Sequence, residues 1–265
     1  MSELADRTIE ADHRTYERLA RLVGRLTDDD LATPSGASEW TVAQVLSHLG
    51  SGAEITLATL RAAQTGTDRA GDANTEVWDR WNAMSPREQA DGYLRAAGDL
   101  DRAYADLDPV ERSSLRVPMA FLPEPADVER FTGMRLNEAA LHAWDVEFAF
   151  DPAATLPADV AVVLVQQYRG PLSFLLGFAG KPAELDGPVT LTVRTTAPDL
   201  TLGLTIDERA RLTEAPERPD GELHLPAEAL PRLLFGRLRP ADDERGVRVD
   251  GRVSLDDLRR VFPGL

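Results

Sequence analysis

A glutamate and a histidine stand four residues apart in the segment MRLNEAALHAWDVEFAF, which covers residues 134 to 150. Residues at this spacing project from the same face of a helix, so Glu138 and His142 point in one direction. The apolar residues of the same arc are Phe131, Met134, Leu141 and Phe148. The pattern predicts that both polar groups face an apolar interior, where an unpaired carboxylate is costly and needs a compensating partner.

A second histidine, His48, lies among apolar residues in an earlier helical segment, VLSHL. Two histidines and one glutamate that converge in a helical core form the ligand set of a catalytic zinc site, which leaves one coordination position open. A simpler interpretation also fits the spacing. In that interpretation the histidines are packed core residues, and Glu138 pairs with an arginine such as Arg135. Spacing by itself leaves both interpretations open.

The composition of the chain excludes several classes of function. The 265 residues carry a formal charge of −16, which opposes the phosphate backbone, so we expect small-molecule partners and no nucleic acid. No apolar run approaches the roughly 20 residues needed to cross a membrane, and residues 1 to 26 are charged throughout. We therefore expect a cytoplasmic protein without membrane association. The sequence has no cysteine, so any reacting thiol must come from another molecule.

The N-terminal part of the sequence has the periodicity of a helical bundle. Apolar residues recur at helical spacing in four segments, which cover about residues 3–26, 41–63, 85–107 and 127–150. Thr41 and Gln44 have the spacing of a capping box at the start of the second helix. Ser85 followed by Pro86 predicts the start of the third.

Two features of this part are less regular. Gly50 and Gly52 lie inside the second predicted helix, and they predict close backbone packing there, because glycine is otherwise unfavourable in a helix interior. Residues 65–84 are predicted to form a polar loop. This loop carries Trp78 and Trp81, which either line the mouth of the bundle or pack over it as a lid.

Beyond residue 152 the pattern becomes mixed. Residues 157–178 predict two helices interrupted at Gly170-Pro171, and short helices are predicted at about 227–234 and 254–261. Alternation with a period of two predicts strands at 188–196 and 200–206, with shorter strands at about 210–214, 221–225 and 247–249. The predicted fold is α+β in two domains, residues 1–152 and 153–265.

Two stretches, SEWTVAQVLSHLGSGAEI and FTGMRLNEAALHAWDVEFAF, resemble the mycothiol-dependent maleylpyruvate isomerase family, which lies within the DinB-like metalloprotein superfamily. The resemblance rests on Trp40-Thr41-Val42, His48-Leu49, Arg135-Leu136, Glu138 and His142-x-x-Asp145. It extends more loosely over the whole chain. It implies an N-terminal DinB-like four-helix bundle followed by a sterol-carrier-like α+β domain.

The resemblance also implies a ligand set. A divalent metal, usually zinc, would be held by His48, Glu138 and His142, and mycothiol would serve as the thiol cosubstrate. An arginine of the C-terminal domain would contact a carboxylate of the substrate, and Arg237 in LPRLLFGRLRP is the match in this chain. Many relatives have Pro-Gly before the tryptophan, whereas this chain has GASEW, so the loop that leads into the second helix is expected to differ in shape.

Three further polar residues have patterns that are less specific for the site. Asp145 either orients His142 as a hydrogen-bond acceptor or bonds solvent or an arginine. His13 has no partner at metal-ligand spacing and is predicted to lie at the surface or at its boundary. His224 alternates with apolar residues and is predicted to be a structural residue of a strand.

These features predict a zinc-dependent enzyme whose partners are a small-molecule thiol and an electrophile, and which acts as a monomer or a homodimer. Thiol addition leads to cis–trans isomerisation if the adduct collapses after bond rotation, and to S-transfer if the adduct is released. One alternative is a hydrolase that uses metal-activated water. Another is a non-catalytic regulatory protein that holds a metal structurally and binds an apolar ligand in its C-terminal domain. The open coordination position argues against it, because structural zinc sites are usually closed and rich in cysteine.

Overall fold

The structure is a computed structural model that describes residues 3–37, 39–69 and 71–264. The chain divides into two compact units, Met1–Ala154 and Thr155–Leu265. The first unit is helical, and the second combines helices with a five-stranded sheet, so the predicted α+β class is confirmed. Within the described residues, no helix is both long and apolar enough to cross a membrane.

Four long helices build the core of the first unit. Its helices are α1 Glu3–Val23, α2 Asp28–Leu31, α3 Val42–Thr65, α4 Ala73–Asn82, α5 Pro86–Ala105, α6 Pro109–Ser114 and α7 Val128–Phe148. Helix α1 packs against α5 and α7, and α3 packs against the same two helices. Apolar side chains from all four therefore meet in one core.

The long helices begin where side chains satisfy their first backbone N–H groups. In α3 the Gln44 backbone N–H donates to Thr41 Oγ1 at 3.3 Å, and the Thr41 backbone N–H donates to Gln44 Oε1 at 2.8 Å. Helix α5 has a capping box at Ser85, and α7 begins after Asp127, which accepts from the Arg130 N–H at 2.8 Å. The predicted starts of these helices are confirmed because short-range capping determines them.

The predicted loop over residues 65–84 is wrong, because residues Ala73–Asn82 form helix α4. This helix has no side-chain cap and so has no local start signal. Trp81 is only 2% exposed, and its indole lies against α3 and α5 where a Cβ on Gly50 would approach it to 2.1 Å. Packing of Trp81 into this notch fixes α4, and it confirms the close packing predicted at Gly50. Trp78, on the same helix, is 48% exposed.

The second unit places helices around a mixed sheet. Its helices are α8 Ala158–Arg169, α9 Ser173–Ala179, α10 Ala229–Leu234 and α11 Leu255–Val261. Its strands are β1 Val189–Thr196, β2 Leu200–Ile206, β3 Ala210–Thr213, β4 Gly221–Pro226 and β5 Arg248–Gly251, in the order β3-β2-β1-β4-β5. Strands β1 and β4 are parallel, and the other neighbours are antiparallel.

Register in this sheet follows the alternation of apolar residues. Val193 pairs with Leu202 of β2 and with Leu223 of β4, and all three side chains are buried. Helices α8 and α9 pack against β3, and α10 packs against β4. The predicted strands and helices of this part are confirmed to within a few residues, because a period of two is specific for a half-buried strand.

Candidate metal centre

Helices α3 and α7 bring two histidines and a glutamate together. His48 Nε2 lies 3.2 Å from Glu138 Oε2, and His142 Nε2 lies 3.7 Å from the same oxygen. One potential ligand atom from each residue lies within 4.8 Å of the other two. Two of the three residues are one helical turn apart on α7, and the third comes from α3, so the group depends on the packing of these two helices.

Arg135 ties the two helices together beside this group. Its Nη2 donates to the Leu49 carbonyl at 3.0 Å, one residue after His48. A Cβ on Gly52 would lie 3.1 Å from Arg135 Nη1, so glycine leaves room for the guanidinium. Arg135 thus fixes the position of α3 along the axis of α7. The alternative ion pair between Glu138 and Arg135 is not formed among the described residues, where Glu138 pairs with the two histidines.

Asp145 orients His142. The His142 Nδ1 donates to Asp145 Oδ2 at 2.8 Å, and the carboxylate is fully buried. The Asp145 carbonyl also accepts from the Gly36 backbone N–H at 2.7 Å, which holds the end of α7 against the loop before α3. With its proton on Nδ1, the imidazole presents the Nε2 lone pair towards Glu138. Of the two interpretations of Asp145, the structure has the one in which it orients His142.

Glu138 remains ionised in this setting. Partial burial raises the pKa of Glu138, but the hydrogen bond with His48 and the electrostatic effects of His142, His48 and Arg135 outweigh it and bring the pKa to about 2. Its other oxygen accepts from Asn137 Nδ2 at 3.2 Å. The group is therefore anionic across the physiological pH range.

The expectation that Glu138 lies in an apolar interior is wrong. The side chain of Glu138 is 45% exposed and that of His48 is 39% exposed, whereas His142 is 15% exposed. The apolar arc predicted for α7 is confirmed, since Phe131 and Leu141 are buried. The polar pair lies at the edge of that arc, where solvent reaches the carboxylate. Helical spacing alone does not distinguish the edge of an apolar arc from its centre.

Trp40 forms an aromatic wall that the sequence did not single out as a site residue. Its ring centroid lies 5.3 Å from that of His48 and 6.0 Å from that of His142, to which it is nearly parallel. Trp40 is 38% exposed. Its position directly before the cap residue Thr41 was the available signal, because the residue before a helix cap lies beside the first turns of the helix.

The loop before Trp40 has one unusual residue. Glu39 has a φ of 69°, in the left-handed region that favours glycine. Glu39 thus adopts the backbone conformation that a glycine would favour, so the absence of a glycine directly before Trp40 does not require a different turn at this position. Ser38 belongs to the loop that was predicted to differ in shape, and it lies outside the described residues.

A buried carboxyl group, that of Asp12, interacts electrostatically with Arg135 of the candidate centre's surroundings. Asp12 of α1 is 6% exposed, and its Oδ1 accepts no hydrogen bond among the described residues. Burial raises the pKa of Asp12 from 3.8 to about 6, although the positive charge of Arg135 opposes the shift. Because the two groups act on each other, Asp12 belongs to the electrostatic surroundings of the centre. No sequence signal marks it, since its partners come from other helices.

This shift predicts a measurable pH dependence. The folded protein binds the Asp12 proton more tightly than the unfolded chain, so this stabilisation is present at low pH and is lost as the pH rises through about 6. Between pH 5 and 7.5 the free energy of unfolding of the metal-free wild type should fall by about 1.4 kcal/mol more than that of Asp12→Asn. Urea unfolding at both pH values measures the difference. The exposed Asp106→Asn variant is the control, and parallel curves for wild type and Asp12→Asn would contradict the assignment.

The other predicted residues lie elsewhere. His13 is half-exposed and pairs with Asp101 at 2.9 Å, as expected for a boundary residue. His224 lies on β4 with its Nε2 3.2 Å from Glu222. Within the described part of the chain, neither joins a metal-binding group.

Arg237 belongs to the second unit. It follows α10 and is half-buried, and its Nη1 donates to the Phe235 carbonyl at 2.9 Å. Its backbone N–H donates to the Arg232 carbonyl at 2.7 Å. The side chain therefore has a defined local position, and its role in catalysis stays a prediction.

Comparison with known proteins identifies the family. Residues 13–147, just over half of the chain, match the model of the mycothiol maleylpyruvate isomerase N-terminal domain. The chain therefore belongs to the mycothiol-dependent maleylpyruvate isomerase family, and the resemblance found in its sequence motifs is confirmed.

Two solved structures share the fold over nearly the whole chain. A crystal structure of the mycothiol-dependent maleylpyruvate isomerase matches with a TM-score of 0.65 and 16% identity, covering 96% of this chain and 98% of that one. A variant of that isomerase, with one histidine replaced by alanine, matches with a TM-score of 0.65, 15% identity and the same coverage. At this identity the likeness establishes the fold. No curated protein sequence matches this chain at a significant level.

Proposed function

We propose that this protein is a divalent-metal-dependent enzyme that uses mycothiol to isomerise maleylpyruvate or a related electrophile, or to transfer the thiol to it. The observation that carries the proposal is the convergence of His48, Glu138 and His142 in a member of this family. The cysteine-free sequence supports it, because the reacting thiol then has to be a separate molecule.

The donor set fits a divalent metal. It offers two imidazole nitrogens and a carboxylate that is ionised at neutral pH, all within 4.8 Å of one another. Two histidines and one glutamate suit zinc, and they leave a position open for a further ligand. Zinc, or another divalent ion in its place, would lower the pKa of a coordinated thiol or water towards neutral pH.

The residues around the donor set have separate roles in this proposal. Asp145 accepts a hydrogen bond from His142 Nδ1 and so directs Nε2 towards Glu138. Arg135 fixes the position of His48 relative to Glu138, because its hydrogen bond to the Leu49 carbonyl joins α7 to α3. Trp40 covers the two imidazoles on one side and restricts the direction from which a ligand approaches. Partial exposure of Glu138 leaves that approach open from solvent.

Thiol chemistry accounts for both outcomes of the proposed reaction. The thiol sulfur adds to one carbon of the cis double bond in the maleyl group, which becomes a single bond about which the molecule can rotate. Loss of the same thiol restores the double bond in the trans form, so thiol and proton are returned unchanged. In S-transfer the carbon–sulfur bond is kept, and the thiol is consumed.

The proposal includes a domain assignment. Residues 1–152 are assigned to a DinB-like metal-binding four-helix bundle, supported by the four long helices and by the location of all three donors on two of them. Residues 153–265 are assigned to the sterol-carrier-like C-terminal domain of the family, supported by the helices packed on a mixed sheet.

Arg237 is proposed to contact a substrate carboxylate, as the family resemblance implies. A guanidinium binds a carboxylate through two parallel hydrogen bonds, which lysine cannot reproduce. We expect Arg237→Lys to lower kcat/KM for maleylpyruvate by about tenfold or more, with the metal content unchanged. Steady-state kinetics with maleylpyruvate and with an uncharged electrophile measure the effect. Arg239→Lys is the neighbouring control, and an equal loss with the uncharged electrophile would indicate a structural role for Arg237.

The proposal as a whole is tested by the thiol requirement of turnover. Isomerisation of maleylpyruvate should require both a divalent metal and mycothiol. Turnover of an ester or amide without any thiol would instead support a metal-dependent hydrolase.

A further inference from the structure

A cavity of about 570 Å³ lies in the first unit, away from the candidate metal centre. It is formed by the C-terminal half of α3 and by loop segments that precede α4 and α7, and its apolar lining includes Ile55, Ala62, Met119 and Leu122. Its volume falls within the range of about 300–1,000 Å³ that is typical of small-molecule sites. None of the three donor residues lines it.

One cation lines this cavity. Arg69 Nη1 donates to Thr59 Oγ1 at 2.9 Å, which anchors the guanidinium against α3. Its Nε and Nη2 donate to no described residue, and Arg69 forms no ion pair among them. These two nitrogens form one edge of the guanidinium, the edge that binds a carboxylate through two parallel hydrogen bonds.

We infer that this cavity binds a small molecule that joins a carboxylate to an apolar body. The carboxylate pairs with the free edge of Arg69, and the apolar body lies along the side chains of α3 and of the loop before α7. Asp68 also lines the cavity, but its side chain is exposed, where solvent screens its repulsion.

The inferred site is separate from the metal centre. Ile55 and Thr59 follow His48 on the same helix by seven and eleven residues, which places them about 10 and 17 Å further along its axis. A carboxylate bound at Arg69 therefore does not reach the three donors. Binding at this site is independent of the metal, which separates it from the proposed function.

Octanoate is a suitable probe, with octanol as its uncharged match. Isothermal titration calorimetry should show that octanoate binds to the wild type with or without zinc. The affinity for octanol should be lower by at least about tenfold. Arg69→Gln should lower the octanoate affinity by about tenfold. Replacement of Arg61, an exposed arginine of α3, by glutamine should leave the affinity unchanged.

Two further variants locate the site. Ala62→Trp fills the cavity and should abolish octanoate binding while circular dichroism shows an unchanged helix content. Glu138→Gln alters the metal centre and should leave octanoate binding unchanged. The inference is overturned if Arg69→Gln binds octanoate as the wild type does, if octanol binds as tightly as octanoate, or if Glu138→Gln abolishes binding.

Discussion

Replacement of His142 by alanine should lower the affinity for zinc by at least about 100-fold, because it removes one of three donors that converge from α3 and α7. The loss exceeds that expected for removing a hydrogen-bonded neighbour such as Asp145, which typically costs 10- to 100-fold. Helix content should stay unchanged, since the apolar core of the four long helices does not include His142. Competition with a chromophoric chelator measures the affinity, and circular dichroism checks the fold.

His13→Ala is the matched control, because His13 lies on α1 and pairs with Asp101. Its affinity for zinc should equal that of the wild type. A double variant, His48→Ala with His142→Ala, provides the stricter test. Retention of one equivalent of zinc by that variant would show that the metal binds elsewhere.

Turnover of maleylpyruvate should saturate in mycothiol and stop when no thiol is added. The chain has no cysteine, so a covalent step through a protein thiol is impossible. We expect kcat/KM for mycothiol to exceed that for glutathione by about 100-fold, since the sugar hydroxyls of mycothiol offer several hydrogen bonds of about 1 kcal/mol each. Initial rates at varied thiol concentration, with metal held constant, give both values.

The pH profile supplies an internal control for this prediction. A thiol activated at the metal should ionise below its ordinary pKa of about 8.5, so the acidic limb of kcat/KM should lie well below that value. Glu138 does not account for such a limb, because its pKa is about 2. Undiminished turnover without thiol would contradict the proposed role of mycothiol.

Local sequence signals account for most of the secondary structure. The boxes at Thr41 and Ser85 determine where α3 and α5 begin, and the period-two pattern determines β1 and β2. Helix α4 differs from the predicted loop because its stability comes from the packing of Trp81 against α3 and α5. The contacted residues, Gly50 and Gly92, are 31 and 11 residues away from Trp81 in the sequence. Such long-range contacts have no local signal.

The candidate site was predictable to a similar degree. The spacing of Glu138 and His142 predicts that they share a face, and the apolar setting of His48, ninety residues before Glu138, makes it a candidate third ligand. Spacing by itself left the simpler interpretation open, and the family resemblance favoured the metal site. The contacts of Asp12, Arg135 and Trp40 join different helices or loops, so periodicity could not reveal them. The exposure of Glu138 was also beyond the sequence, because it depends on how far α7 is rotated in the packed unit.

The central claim is that these three residues hold a divalent metal to which an external thiol binds, and cobalt substitution tests it most directly. The protein has no cysteine, so a thiolate-to-cobalt charge-transfer band can arise only from an added thiol. The cobalt-loaded wild type should develop this near-ultraviolet band when mycothiol is added, with saturation at one equivalent of bound thiol. The same titration of His48→Ala with His142→Ala should show no band. A wild-type protein that binds cobalt at these residues but develops no band with mycothiol would contradict the account.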